Sequence, residues 1–251
     1  MIEVDEQLAR RLVDRQFPHW AGLPIRPVEL SGWDNRTFRL GDELSVRLPS
    51  GVGYRLQVEK EQRWLPLLAP RLPLPIPEPV ARGEPAEGYP FAWSVYRWID
   101  GTPAAIAPIA DSVAFARELG TFLVALGRAD APGGPEPGAH NFLRGAHPSV
   151  YGDEIERAVD ALGGEIARDE VLAVWDAAVA TRWEHEPVWF HGDVAVGNLL
   201  LRDGKLAGVI DFGSSGVGDP ACDTVIAWTL FDGAALLLRR MALAGEPPRY
   251  S

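Results

Sequence analysis

The chain has 251 residues, with 35 acids against 24 bases and a net charge of −11, a balance that argues against nucleic acid as a partner and suits the steering of a cationic small molecule. Its 47% apolar and 24% charged composition is that of an ordinary globular protein, long enough for one good core or two small ones. No apolar run reaches the roughly 18 residues of a membrane span, the start Met1-Ile2-Glu3-Val4-Asp5-Glu6 is acidic where a secretory signal is basic then apolar, and Cys222 has no cysteine to pair with, so a cytoplasmic protein without a membrane partner is expected.

A helix is predicted over 5–17, with Leu8, Leu12 and Val13 on one face. Ser31-Gly32-Trp33-Asp34-Asn35 then precedes a hairpin over 37–40 and 44–48 that turns at Gly41-Asp42. A two-residue turn there sets Arg36 opposite Arg47 on one face, a like-charge pair that an anion between them would relieve. A short helix over 57–65 follows, then a proline-dense extended stretch over 66–90 holding a strand candidate at 79–82. The strand 91–98 closes this small sheet, and Asp100-Gly101 marks the crossing to a mainly helical remainder. Helices are predicted over 111–127, near 149–162 and near 169–183, with a Pro/Gly loop over 131–138 and a further helix starting at Pro220. The nine tryptophans read mostly as packing residues.

The most informative stretch begins at His191-Gly192-Asp193 and runs through Asn198 to Ile210-Asp211-Phe212-Gly213. Asp203-Gly204 favours a two-residue type I′ turn between apolar strands. Counting back from that turn sets Asn198 opposite Val209, with Asp211 a diagonal neighbour about 7–8 Å away. An amide and a carboxylate so placed can share one Mg2+, which binds oxygen at about 2.0–2.1 Å. Asp193, on the loop entering the hairpin, is placed to accept the proton of an incoming hydroxyl in line with a γ-phosphate. The five histidines lack zinc spacing, and the glycines over 213–218 lack the Lys-Ser/Thr of a Walker loop.

His-x-Asp-x-x-x-x-Asn followed by Asp-Phe-Gly resembles the catalytic core of the protein-kinase-like superfamily. Gly192, the Leu-rich strand directly after Asn198, and Gly218-Asp219-Pro220-Ala221-Cys222-Asp223 make the chain most similar to the aminoglycoside phosphotransferase family. The resemblance implies an α+β, bilobal kinase-like fold, with a β-rich nucleotide-binding lobe over 1–98 and a catalytic, acceptor-binding lobe over 99–251. It implies Asp193 as catalytic base, His191 as a scaffold of the catalytic loop, and Asn198 and Asp211 as Mg2+ ligands. Asp219 would brace the loop, although Asp219-Pro220 also reads as an ordinary helix N-cap with proline at the first position.

In the first lobe the resemblance puts Arg47 where the family normally carries a phosphate-binding Lys, paired with Glu61. Arginine is a permanent cation but not an equivalent one. Ser31, Gly32 and Asn35 would lie over the phosphates, and the main chain of Arg97, Trp98 and Ile99 would meet the adenine edge. The stretch after Asp223 is shorter than the family's usual ending, which implies an acceptor pocket that is open, completed by another chain, or impaired. The expected activity is transfer of the γ-phosphate of ATP or GTP to a hydroxyl of a small molecule, with aminoglycosides, other amino sugars, macrolides and amino alcohols as candidate acceptors. The rival expectation is a catalytically weak nucleotide-binding protein, and a protein kinase is disfavoured by the absence of an Ala-Pro-Glu segment after Asp211.

Overall fold

In the computed structural model, which describes residues 4–29 and 32–231, the chain opens on α1 (Glu6–Gln16). Asp5 caps it by accepting the Leu8 N–H at 2.7 Å. The apolar face of α1 buries Leu8, Leu12 and Val13 against Phe38, Leu40, Val46, Leu48 and Trp93. Those residues lie on an antiparallel sheet made of β1 (Ile25–Pro27), β2 (Asn35–Leu40), β3 (Leu44–Pro49), β4 (Pro79–Gly83) and β5 (Trp93–Arg97), in the order β1-β2-β3-β5-β4. Gly83 is required where it stands, because a Cβ there would lie 2.0 Å from the Trp93 ring. The three-residue β1 gave no sequence signal, being short and ending in proline.

The hairpin register differs from expectation. Leu40 pairs with Leu44, so the loop holds Gly41, Asp42 and Glu43, and Arg47 faces Thr37 rather than Arg36. One added loop residue moves Arg36 to the other face, where it is exposed and donates to Gly32 O at 3.2 Å. The like-charge pair does not form.

Helix α2 (Arg55–Leu68) runs three residues past its expected end and contains Pro66. An interior proline costs about 3 kcal/mol by removing one helical hydrogen bond. Leu65 and Leu68, at 1% and 2% exposure, bury about 1.5–3 kcal/mol each and offset it.

After the crossing come β6 (Thr102–Pro103), α3 (Ser112–Gly127), α4 (Gly152–Leu162) and α5 (Arg168–Ala180). Then follow β7 (Val188–Phe190), β8 (Leu199–Arg202), β9 (Lys205–Val209), β10 (Gly216–Gly218) and α6 (Ile226–Thr229). The helix expected from Pro220 begins as a 3-10 turn, Pro220–Thr224, before α6. β6, β8 and β9 form one small sheet in the order β6-β8-β9, with β8 pairing to both neighbours, and β10 pairs with β7 in another. Phe115, Leu119 and Phe122 of α3 pack with Trp189, Leu199, Leu201, Val209 and Phe212. The same core takes in Leu65, Leu68, Ile76 and Tyr96 from the first half, so α2 is held from both sides. Among the described residues no helix is long and apolar enough to cross a membrane.

Candidate active site

The β8–β9 hairpin turns at Asp203-Gly204 with φ of 52° and 74°, the two left-handed residues of a type I′ turn. Arg202 pairs with Lys205 as counted, but Ala207 is bulged out between the Leu201–Leu206 and Leu200–Gly208 pairs. Leu199 therefore faces Val209, and Asn198 O accepts the Ile210 N–H at 2.9 Å. Asn198 and Asp211 are one step closer along the ladder than the unbulged count gives. The Asn198 side-chain NH2 donates to Asp193 twice, to the main-chain O at 2.9 Å and to Oδ2 at 3.0 Å. Two of the three expected groups are thus joined directly.

The loop carrying Asp193 is held from beneath. Asp223, 4% exposed, accepts the N–H groups of His191 and Gly192, each at 2.7 Å. Burial pushes the Asp223 carboxyl up, opposed by His191 and the two N–H donors. Gly192 sits at φ 84°, where a Cβ would lie 2.3 Å from Ser214 O, a place no side chain can enter. Arg144 donates to Gly192 O at 2.7 Å from the opposite side. His191 accepts the Asp193 N–H at Nδ1, 3.2 Å, and lies 3.0 Å from Ile210 O through Nε2, which ties the loop to the hairpin. The brace expected of Asp219 is corrected: its carboxylate accepts the Ala221 N–H at 2.9 Å and caps the 3-10 turn, while Asp223 holds the loop. Both acids lie in one short run, and pattern alone could not choose between them.

Replacing Asp223 by Ala is expected to lower stability by about 2–4 kcal/mol, because it strands two buried donors. Asp223→Asn, which keeps one of the two accepting oxygens, should recover up to about half of that loss in denaturant unfolding.

Arg47, on β3, donates to Asp211 Oδ1 at 2.8 Å and lies 3.6 Å from Glu61 Oε1. Its guanidinium also sits 5.7 Å from the centre of the Tyr96 ring, and the Tyr96 hydroxyl donates to Glu61 Oε2. Burial favours a neutral Arg47, but Asp211, Glu61 and Tyr96 outweigh it and hold the guanidinium above its usual range. Burial likewise raises Asp211, yet Arg47, His191 and the Gly213 N–H hold its carboxyl below the ordinary value. Both groups are therefore charged at neutral pH.

Ser31 lies outside the described residues. Gly32 passes over the site, since a Cβ on it would be 4.0 Å from Asp211 Oδ2. Asn35 is buried at the start of β2. Between them Asp34, unexpected from sequence, accepts from Gln57 at 3.2 Å. Burial raises its carboxyl and Gln57 opposes this; Asp211 and Asp193 raise it further, and Arg47 opposes them. In the connecting stretch the N–H groups of Arg97 and Trp98 are engaged by Glu78 O at 2.9 Å and Glu43 O at 2.8 Å. Ile99 packs against Gly208, where a Cβ would meet it at 2.9 Å. The calls on a shortened ending after Asp223 fall largely on residues 232–251, outside the described residues.

The donor set fits a hard divalent cation. With its NH2 spent on Asp193, the Asn198 amide offers its oxygen, and Asp211 offers an ionised carboxylate. Among the described residues no group of three or more His, Cys, Asp or Glu could hold a metal. An amide oxygen and one carboxylate match the donors of a Mg2+ site, which takes one or two carboxylates and completes its shell with phosphate and water.

A model of the phosphotransferase enzyme family matches residues 24–250. The GDP and kanamycin complex of APH(2″)-IIia has a similar fold, with a TM-score of 0.78 and 20% identity over 93% of this chain and 82% of that one. Macrolide 2′-phosphotransferase MphH from Brachybacterium faecium gives a TM-score of 0.67 and 23% identity over 98% of this chain and 84% of its own. Two curated relatives match over short segments. Aminoglycoside 3′-phosphotransferase from Escherichia coli is 38% identical over 47 residues, 19% of this chain and 17% of that protein. Pyridoxine/pyridoxamine 5′-phosphate oxidase from Rhizobium etli is 47% identical over 36 residues, 14% of this chain and 18% of that protein. The chain thus spans less than a fifth of the length of either curated relative in its match. The fold is the α+β, bilobal, kinase-like one, and with nearly the whole sequence matched by one family model the chain belongs to the phosphotransferase enzyme family.

Proposed function

We propose that this chain is a Mg2+-dependent O-phosphotransferase that moves the γ-phosphoryl group of ATP or GTP onto a hydroxyl of a small, cationic acceptor of the aminoglycoside kind. The observation that carries this reading is the joined pair Asp193–Asn198 on a loop fixed by Asp223, with Asn198 O bonded by the Ile210 N–H directly before an ionised Asp211. Residues 1–98 would hold the nucleotide, and residues 99–251 the catalytic groups and the acceptor. The engaged N–H groups of Arg97 and Trp98 leave Ile99 and the carbonyls of this stretch to meet the base.

Asp193 accepts the acceptor's hydroxyl proton as the new O–P bond forms and the bond to the leaving nucleoside diphosphate breaks. The transition state is loose, so orientation of the hydroxyl contributes more than nucleophilic activation. Asn198 fixes the Asp193 carboxylate for this through its NH2, which leaves its amide oxygen as the atom that would meet a cation. Asn198 and Asp211 would hold Mg2+, which neutralises charge on the phosphates. Arg47, backed by Glu61, supplies a second positive charge. The net charge of −11 draws a cationic acceptor toward the protein.

This acceptor class is supported by the kanamycin complex of a structural neighbour, and macrolides by another. The cytoplasm, where ATP and GTP are available, is the compartment this reading requires.

The test is nucleotide turnover with ATP and with GTP over a panel of aminoglycosides, macrolides and amino alcohols. At least one acceptor is expected to raise turnover about tenfold or more over acceptor-free hydrolysis. Thermal stabilisation by Mg-nucleotide with no acceptor-dependent turnover would instead support a nucleotide-binding role without transfer.

A further inference from the structure

Gln57, Lys60 and Glu61 are spaced i, i+3 and i+4 on α2, which puts them on one helix face. All three are buried, and each reaches a different part of the site. Gln57 bonds Asp34 and presses on Gly213, where a Cβ would meet its amide at 2.8 Å. Glu61 backs Arg47. Lys60 Nζ donates to Gly213 O at 2.6 Å and to Ser215 O at 2.8 Å.

Those two carbonyls belong to the turn that begins directly after Asp211. Asp211 itself holds φ 66° and ψ 66°, a left-handed conformation that costs a non-glycine residue energy and persists only where its surroundings enforce it. Ser215 closes the turn from within, through its hydroxyl to Phe212 O at 2.7 Å and its N–H to the same oxygen at 3.0 Å. The Phe212 ring meets His191 edge-on at 4.6 Å. These contacts hold the turn together, whereas Lys60 fixes its direction relative to α2. A buried ammonium is a costly group to use where an apolar side chain would fill the space. Its cost is accounted for if the aim of the two carbonyls, and so of the residue before them, must be kept.

We propose that Lys60 is a positioning residue: by gripping the carbonyls of Gly213 and Ser215 it enforces the left-handed turn at Asp211 and sets where that carboxylate points. The proposal rests on the phosphotransferase reading of the site.

Lys60→Met and Lys60→Arg in the full chain test it with two measurements. Hydrogen exchange on the ligand-free proteins reads the turn without reference to nucleotide, and calorimetry reads binding of ADP or GDP in EDTA and across a Mg2+ titration. Lys60→Met should speed amide exchange over 211–216 while β7 and β8 stay protected. It should also raise the Mg2+ concentration for half-maximal nucleotide binding about tenfold or more, as expected for a residue that orients a metal ligand. Metal-free nucleotide binding should stay within about twofold, since Lys60 is not placed on the phosphates. Lys60→Arg, which keeps donors, should restore most of both properties.

Unchanged exchange over 211–216 overturns the proposal, as does faster exchange with an unaltered Mg2+ requirement. A wild-type chain that binds no nucleotide with or without Mg2+ would remove the phosphotransferase reading instead, and the exchange measurement would still decide the clamp.

Discussion

Asp193→Ala is expected to lower kcat for the best acceptor by about 10³-fold, within the 10²–10⁴ range of a positioned general base, while nucleotide affinity stays within about threefold. The asymmetry follows from how the loop is built. Asp223, Arg144 and His191 hold the main chain of residues 191–193 without using the Asp193 carboxylate. Removing that carboxylate costs one contact, from Asn198 Nδ2 to Oδ2, and leaves the bond from the same amide to Asp193 O. The fold should survive, so thermal unfolding should shift little. Asp193→Asn sharpens the test, because it preserves shape and hydrogen bonding to the acceptor but cannot take its proton. Should Asp193→Asn keep full turnover, proton acceptance by this residue is wrong; should Asp193→Ala keep it as well, the residue has no part in the reaction.

The hairpin of this site was legible because its signal is local. Asp203-Gly204 dictates a turn with two positive φ values, and the apolar strands on either side set Ile210, next to Asp211, against Asn198. What sequence missed depends on single-residue counts or on distant partners. The bulge at Ala207 and the third residue of the Gly41 loop each shift a register by one, and neither has a residue type that demands it. Asp219 and Asp223 are the same residue type four positions apart, and only the path of the chain decides which reaches His191. Lys60 sits in Glu59-Lys60-Glu61-Gln62-Arg63, which reads as a solvated helix face, and its burial comes from the Asp-Phe-Gly turn packing on α2 from 153 residues away. Arg144 carries no signal at all. Its reach to Gly192 O depends on Phe142 and Leu143 both adopting positive φ, at 55° and 62°, which bulky residues adopt only under tertiary constraint.

Asp211→Asn is expected to lower kcat by about 10³-fold or more and, unlike the Asp193 variants, to do so through the metal, as loss of charge stabilisation at a phosphoryl-transfer site commonly does. Because Asn keeps an oxygen, it separates charge from shape. Asp211 carries the lowered carboxyl of the pair of expected ligands, and Asn198 is neutral, so this substitution removes the protein's negative charge from the proposed metal position. The Mg2+ concentration needed for half-maximal nucleotide binding should rise about tenfold or more, while nucleotide binding in EDTA should not weaken. Calorimetry on the same protein at several Mg2+ concentrations checks this. A second consequence comes from Arg47, 13% exposed in its side chain, which loses its nearest anion. Breaking a fully buried pair costs about 3–5 kcal/mol. Here Glu61 remains at 3.6 Å, and the Asp211 side chain is 25% exposed, so water screens part of the change. The expected loss is about 1–2 kcal/mol, with the remaining Arg47–Glu61 contact absorbing the difference. Adding a triphosphate should then stabilise Asp211→Asn more than wild type in the absence of metal, since the phosphates replace the missing anion beside Arg47. If the variant keeps the wild-type Mg2+ requirement, Asp211 is not the metal's ligand, and the Arg47–Asp211 contact is a structural ion pair only.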